Sequence, residues 1–86
     1  MVDKDKLNDD ERAYAQKVGE IMRARKEKSE LSFSDISEMT GLSRAHVTRV
    51  FYGTIDVRMG DLRRICKLFD ADPLEVLAEA DAAMRG

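Results

Sequence analysis

Hydrophobic residues recur every three or four positions through most of the chain, and this spacing places them on one face of an α-helix. In the first segment with this spacing, these positions are Tyr14, Val18, Ile21 and Met22. Asn8 or Asp9 precedes the segment and is suited to cap the start of a helix. No segment alternates hydrophobic and polar residues as a half-buried strand does. The pattern therefore predicts an all-α fold.

Capping residues mark a second helix. Ser32 and Asp35 have the spacing of a capping box, with Asp35 in the place of the usual glutamate. This spacing predicts a helix over 33–40, and Gly41 suits the left-handed residue that ends it. The positions expected to face inward are Ile36 and Met39.

A third helix follows almost at once. Ser43 is suited to cap it, so we predict a helix over 44–52 that ends at Gly53. The turn between the second and third helices is only three residues long, which forces the two helices to cross steeply. This pair of helices, about residues 32–53, is the most informative feature of the chain.

Two further helices complete the predicted five. A loop over 54–58 leads to a helix over 59–69, and the Asp72-Pro73 pair starts a last helix over 73–84. The hydrophobic positions of the fourth helix are Met59, Leu62, Ile65, Cys66 and Phe69, and those of the fifth are Leu74, Leu77, Ala80 and Met84. Residues 1–6 are predicted to be a flexible tail, and residues 7–86 to be one domain.

Composition narrows the classes of function. The chain has 86 residues, of which 43% are hydrophobic and 37% charged, as expected for one small cytoplasmic domain. There is no hydrophobic run long enough to cross a membrane and no apolar segment typical of a signal peptide. One cysteine and one histidine predict no disulfide, no metal site and no cofactor. No set of residues predicts a catalytic site, so we do not expect an enzyme.

Charge is distributed unevenly. Residues 1–11 hold two basic and five acidic residues, and residues 70–86 hold one and five. Residues 12–69 hold twelve basic and seven acidic residues, and no acid occurs between Met39 and Ile55. This distribution fits a protein that presents one positive face to a polyanion.

The third helix has two distinct faces when it is drawn at 100° per residue. Val47, Val50 and Phe51 define the buried side. The opposite side holds Ala45, Thr48, Arg49 and Tyr52, while Arg44 lies nearer the edge in the first turn. An acid-free helix of this kind fits the major groove of DNA, where arginine pairs with guanine and a methyl group contacts thymine.

The sequence here resembles the lambda-repressor-like helix-turn-helix family, also called the Cro/repressor or XRE type. The residues that carry the resemblance are Leu31, Ser32, Ile36, Gly41, Ser43, Arg44, Val47, Val50, Gly53, Leu62, Ile65, Phe69, Asp72, Pro73, Leu74 and Leu77. The chain departs from the family at Phe33, where a glutamine usually grips a phosphate, and at Ser37, where a small alanine is usual.

The resemblance implies a sequence-specific regulator of transcription, a repressor of phage or prophage type, that binds double-stranded DNA. The residues expected to read base edges are Arg44, Ala45, Thr48 and Arg49. Those expected to hold phosphates are Ser43, Tyr52 and Thr54, with backbone amides near Ser32 and Phe33.

Several residues have two interpretations from the sequence alone. His46 either contacts a phosphate or is a solvated surface histidine, and Phe33 either packs on the first helix or contacts DNA. Tyr52 is either a phosphate donor or a packing residue. The basic cluster over 23–28 is either a solvated helix end or a phosphate contact, and packing is the favoured role for Cys66.

Partners other than DNA are also considered. Such regulators often bind two half-sites as dimers, and the last helix offers Leu74, Val76, Leu77 and Met84 for a homodimer contact. The alternative function is a protein-interaction adaptor or an antitoxin-like partner of a toxin, with weak or no DNA binding. The acidic ends and the missing glutamine favour this alternative, whereas the acid-free outward face argues against it.

Overall fold

The computed structural model describes residues 8–86, and five α-helices form this part of the chain, which contains no strand. The helices are α1 (Asp9–Ser29), α2 (Phe33–Thr40), α3 (Arg44–Phe51), α4 (Met59–Leu68) and α5 (Pro73–Arg85). The all-α prediction is confirmed, and the predicted ends of α3, α4 and α5 differ by one residue from those observed. The predicted tail over 1–6 lies outside the described residues.

Local hydrogen bonds explain where the helices begin. The Asn8 side chain accepts a bond from the Glu11 amide at 2.8 Å, and the Ser32 hydroxyl accepts one from the Asp35 amide at 3.0 Å. Both pairs form complete capping boxes, because the Glu11 and Asp35 carboxylates accept bonds from the capping amides in return. The predicted caps at Ser43 and Asp72 are also present.

The core lies where α1, α3, α4 and α5 meet, with α2 packed on α3 and α4. Its fully buried side chains include Phe51 at the end of α3 and Cys66 on α4. This burial confirms the packing role predicted for Cys66, and it raises the pKa of the thiol. The core residues are Val18, Met22, Ile36, Val47, Val50, Phe51, Leu62, Ile65, Cys66, Val76 and Ala80.

Three predictions about helix faces are wrong. Met39 is 61% exposed and Met59 is 49% exposed, so neither faces the core as predicted. Val76 is fully buried and is therefore unavailable for the homodimer contact that the sequence suggested. The reason is the same in each case: the neighbouring elements, rather than the spacing within one helix, decide which side of that helix is covered.

Two glycines bring α1 into direct contact with the end of α3. A Cβ atom at Gly53 would lie 2.5 Å from the Cα atom of Gln16, and one at Gly19 would lie 2.5 Å from the carbonyl oxygen of Phe51. Gly53 also has a φ of +67°, a conformation that residues with a side chain rarely adopt. The backbone of α1 therefore fixes where α3 ends.

No helix between residues 8 and 86 is long and apolar enough to span a bilayer.

Candidate nucleic-acid interface

The turn between α2 and α3 is held by side chains of α2. The Ser37 hydroxyl donates to the Leu42 carbonyl at 2.6 Å, and the Thr40 hydroxyl accepts a bond from the Leu42 amide at 3.2 Å. Gly41 ends α2 with a φ of +80°, as predicted. Ser37 and Thr40 thus brace the turn from the α2 side.

The two faces of α3 differ as the sequence predicted. Val47, Val50 and Phe51 are buried, whereas Arg44, Ala45 and Arg49 are exposed. None of the three ion pairs found among residues 8–86 involves either of these arginines. Both guanidinium groups therefore lie at the surface without a carboxylate partner in the described part of the chain.

The hydroxyl groups near α3 mostly bond to the backbone. Thr48 donates to the Arg44 carbonyl at 2.8 Å, which leaves its methyl group for an apolar contact. The Thr54 hydroxyl lies 3.4 Å from the Arg49 carbonyl, at the limit of a hydrogen bond, and its side chain is exposed. Ser43 accepts a bond from the His46 amide and retains its own hydroxyl proton as a donor.

His46 has a partner that the sequence did not suggest. Its Nε2 atom lies 3.0 Å from a carboxylate oxygen of Asp61, in the first turn of α4, and both side chains are partly buried. The interpretation of His46 as a solvated surface histidine is therefore wrong. The contact joins residues fifteen positions apart and ties the start of α3 to the start of α4.

Phe33 lies in an aromatic cluster between α1, α2 and α3. Its ring is 5.5 Å from that of Phe51 in an edge-to-face arrangement and 6.0 Å from that of Tyr52. The Lys26 ammonium lies 4.5 Å from the centre of the Phe33 ring. Phe33 therefore packs on the first helix, which was one of its two interpretations, while Tyr52 packs here and is still 52% exposed.

Arg23 supports the end of α3. It donates a hydrogen bond to the Phe51 carbonyl, and its guanidinium carbon lies 4.9 Å from the centre of the Tyr52 ring. A positive charge is favourable at this end of a helix because the helix dipole is negative there. Arg25 pairs with Glu79 of α5 at 3.2 Å. The basic cluster over 23–28 is therefore more than a solvated helix end.

Sequence reasoning missed Arg23, Lys26 and Asp61 as specific contributors to this surface. Each of them acts across 7 to 28 positions of the chain. The only signal in the sequence was the density of basic residues near the end of α1.

The chain also matches a known protein family. A family model described as a helix-turn-helix domain matches residues 17–79, which is most of the chain. The chain belongs to the helix-turn-helix family. This confirms the family resemblance found in the sequence.

The solved structure of the clp gene regulator ClgR from C. glutamicum has a similar fold. The TM-score is 0.72 at 20% sequence identity, over 83% of this chain and 92% of that one. This similarity supports the five-helix fold described above. None of the curated proteins compared with the chain matches it.

Proposed function

We propose that this helix-turn-helix protein is a sequence-specific, DNA-binding regulator of transcription that inserts α3 into the major groove. The observation that carries the proposal is the outward face of α3, where Arg44 and Arg49 are exposed without a carboxylate partner in the described chain. An α-helix is about 10–12 Å wide with its side chains, which matches a major groove about 12 Å wide. The protein acts by occupying an operator rather than by chemistry.

The outward residues of α3 take the role of reading base edges. Arginine pairs through two hydrogen bonds with the O6 and N7 atoms of guanine, and the methyl groups of Ala45 and Thr48 suit the thymine methyl group. The residues in this role are Arg44, Ala45, Thr48 and Arg49.

Phosphates are held on either side of α3. Ser43, Tyr52 and Thr54 supply hydroxyl groups at its two ends. At the start of α2 the amides of Ser32 and Asp35 are bonded within the capping box, so the amides of Phe33 and Ser34 are the ones assigned to a phosphate. Lys26 adds a positive charge beside Phe33 in that first turn, where the family's usual glutamine is missing. His46 is assigned a different role, because its ring is held by Asp61 and so keeps α3 in place.

A selection of bound sites from random double-stranded DNA tests the proposal. Arg49→Ala should weaken binding to the selected site by about 1–3 kcal/mol and relax the base preference at one position. Arg85→Ala is the matched control, because it removes the same charge from an exposed site at the end of α5. Equal weakening by Arg49→Ala on all DNA sequences would contradict the base-reading role.

A salt series separates this function from the adaptor or antitoxin-like alternative. Affinity for DNA should fall steeply with salt, in proportion to the number of phosphates contacted. No detectable binding to mixed DNA at about 50 mM salt would favour the alternative, in which the acidic α5 contacts a protein such as a toxin.

A homodimer on two half-sites is part of the proposal. Leu74 is 67% exposed and Met84 is also exposed, while Leu77 is partly covered, so α5 retains apolar residues for such a contact. A palindromic selected site, with half-sites about 34 Å apart, is the expected result. Leu74→Glu should then reduce affinity for the full palindrome but not for one half-site.

A further inference from the structure

A cavity of about 360 Å³ lies beneath the loop that joins α3 to α4. Its walls are mostly apolar and include Ile55 and Val57 of the loop, Met59 of α4 and Leu77 of α5. A space of this size is within the range of sites that hold small molecules.

An acidic cleft adjoins this cavity. The cleft is lined by four exposed acidic residues, Asp10, Glu11, Asp56 and Asp81, together with Tyr14 and Met84. Tyr14 and Asp56 line the cavity as well, so the two spaces meet at these residues. Among residues 8–86, no lysine or arginine lines either space.

Tyr14 lines both spaces where they meet, and a hydrogen bond holds its side chain in place. Its hydroxyl donates to the Leu77 carbonyl at 3.1 Å, which ties α1 to α5. Burial, and then the charge of Asp81, raise the pKa of Tyr14. Burial disfavours a charge of either sign at this point, whereas the neighbouring Asp81 carboxylate disfavours a phenolate and attracts a cation.

We infer that the cavity and the cleft together bind a small hydrophobic cation, with its apolar body in the cavity and its ammonium group among the carboxylates. Burial of the apolar body supplies the affinity, since it removes hydrocarbon surface from water. The four carboxylates select for positive charge and repel an anion of the same shape. This site lies on residues other than the outward face of α3 and does not depend on DNA binding, but it shares Leu77 and Met84 with the proposed homodimer contact.

Three compounds that share one skeleton test this site. Isothermal titration calorimetry on the full chain would compare 4-phenylbutylammonium, 4-phenylbutanol and 4-phenylbutanoate at low salt. We expect one ammonium ion to bind per chain, at least tenfold more tightly than the alcohol, with no measurable binding of the carboxylate. Equal affinities, absence of binding by the ammonium compound, or many weak sites per chain would each overturn the inference.

Substitutions of lining residues test whether negative charge at the site, rather than its shape alone, determines ammonium binding. Asp56→Asn and Asp81→Asn should each weaken ammonium binding several-fold and leave alcohol binding unchanged, because each removes one negative charge. Glu38→Gln is the matched control, since it removes an exposed acid of α2 that lines neither space. If Glu38→Gln weakened binding as much as Asp56→Asn, the attraction would be to the net charge of the chain and the inference would be wrong.

A third variant tests the cavity itself. Val57→Phe should fill part of the space and weaken the ammonium and the alcohol alike. Thermal unfolding of the same variant, compared with the wild type, shows whether the fold is retained. Unchanged binding to a folded Val57→Phe protein would place the compound elsewhere and overturn the inference.

Discussion

Two arginines near the end of α1 contact other helices, whereas the two arginines of α3 have no carboxylate partner among residues 8–86. Arg23 bonds the last carbonyl of α3, and Arg25 pairs with Glu79 of α5. Arg44 and Arg49 are in none of the ion pairs found between residues 8 and 86. Guanidinium groups of the same chemistry therefore stabilise the fold at the end of α1 and are exposed without a carboxylate partner, in the described chain, on α3.

This difference separates stability from binding. Substitutions in α1 should lower the free energy of unfolding, because they remove contacts that hold α3 in place. Substitutions on the outward face of α3 should lower affinity for DNA with little effect on unfolding. Four predictions about stability test this division.

The largest effect is expected where the backbones of α1 and α3 touch. Gly53→Ala should lower the free energy of unfolding by about 3 kcal/mol, because the new methyl group meets the Gln16 backbone and strains a left-handed residue. Chemical denaturation measures this change. Gly60→Ala is the control, since its Cβ would meet no atom within 4 Å, and it should be neutral or stabilising.

The next effect concerns the arginines themselves. Arg23→Ala should lower the free energy of unfolding by about 1.5–3 kcal/mol, the usual size for a hydrogen bond from a charged group. Arg49→Ala should change it by less than about 0.5 kcal/mol, because the side chain is exposed. Equal losses in the two variants, measured by urea denaturation, would remove the distinction between the helices.

A smaller effect is expected on the other side of α3. A double-mutant cycle with His46→Ala and Asp61→Ala should give a coupling energy of about 0.5–1 kcal/mol, because the pair is partly buried. The exposed pair Lys17 and Glu20 provides the comparison and should couple more weakly. If both cycles gave the same value, the His46 contact would contribute no more than a surface ion pair.

The smallest expected effect is a change in the free energy of unfolding with pH, caused by the buried thiol of Cys66 near Arg25. Burial raises the pKa of the Cys66 thiol more than the nearby positive charge lowers it. The unfolded chain therefore loses this proton first, so the free energy of unfolding should decline above about pH 8.5. The decline, followed by denaturation from pH 7 to 10, should be shallower in Cys66→Ala.

Local features of the fold could be predicted from the sequence. A capping box depends on two residues three positions apart, so the pair Ser32 and Asp35 can be recognised without knowledge of the rest of the chain. The outward face of α3 followed in the same way, because Val47, Val50 and Phe51 lie within one turn of each other. Spacing over a few residues therefore predicts where a helix begins and which of its faces is polar.

Contacts between distant segments could not be predicted. Met39 has helical spacing from Ile36, yet no other element covers it, and it is exposed. The bonds from Arg23 to Phe51 and from His46 to Asp61 depend on how helices cross, which no single spacing encodes. The prediction that Val76 contributes to a homodimer contact is wrong for the same reason, because Val76 is buried.

The close approach at Gly19 and Gly53 has a consequence for engineering. Since two backbones touch there, main-chain atoms fix the position of the end of α3, in addition to the side-chain contacts of Arg23 and His46. Under the proposed function, new base preferences would therefore be sought by exchanging the solvent-facing side chains of α3, since its backbone position is set by a separate contact.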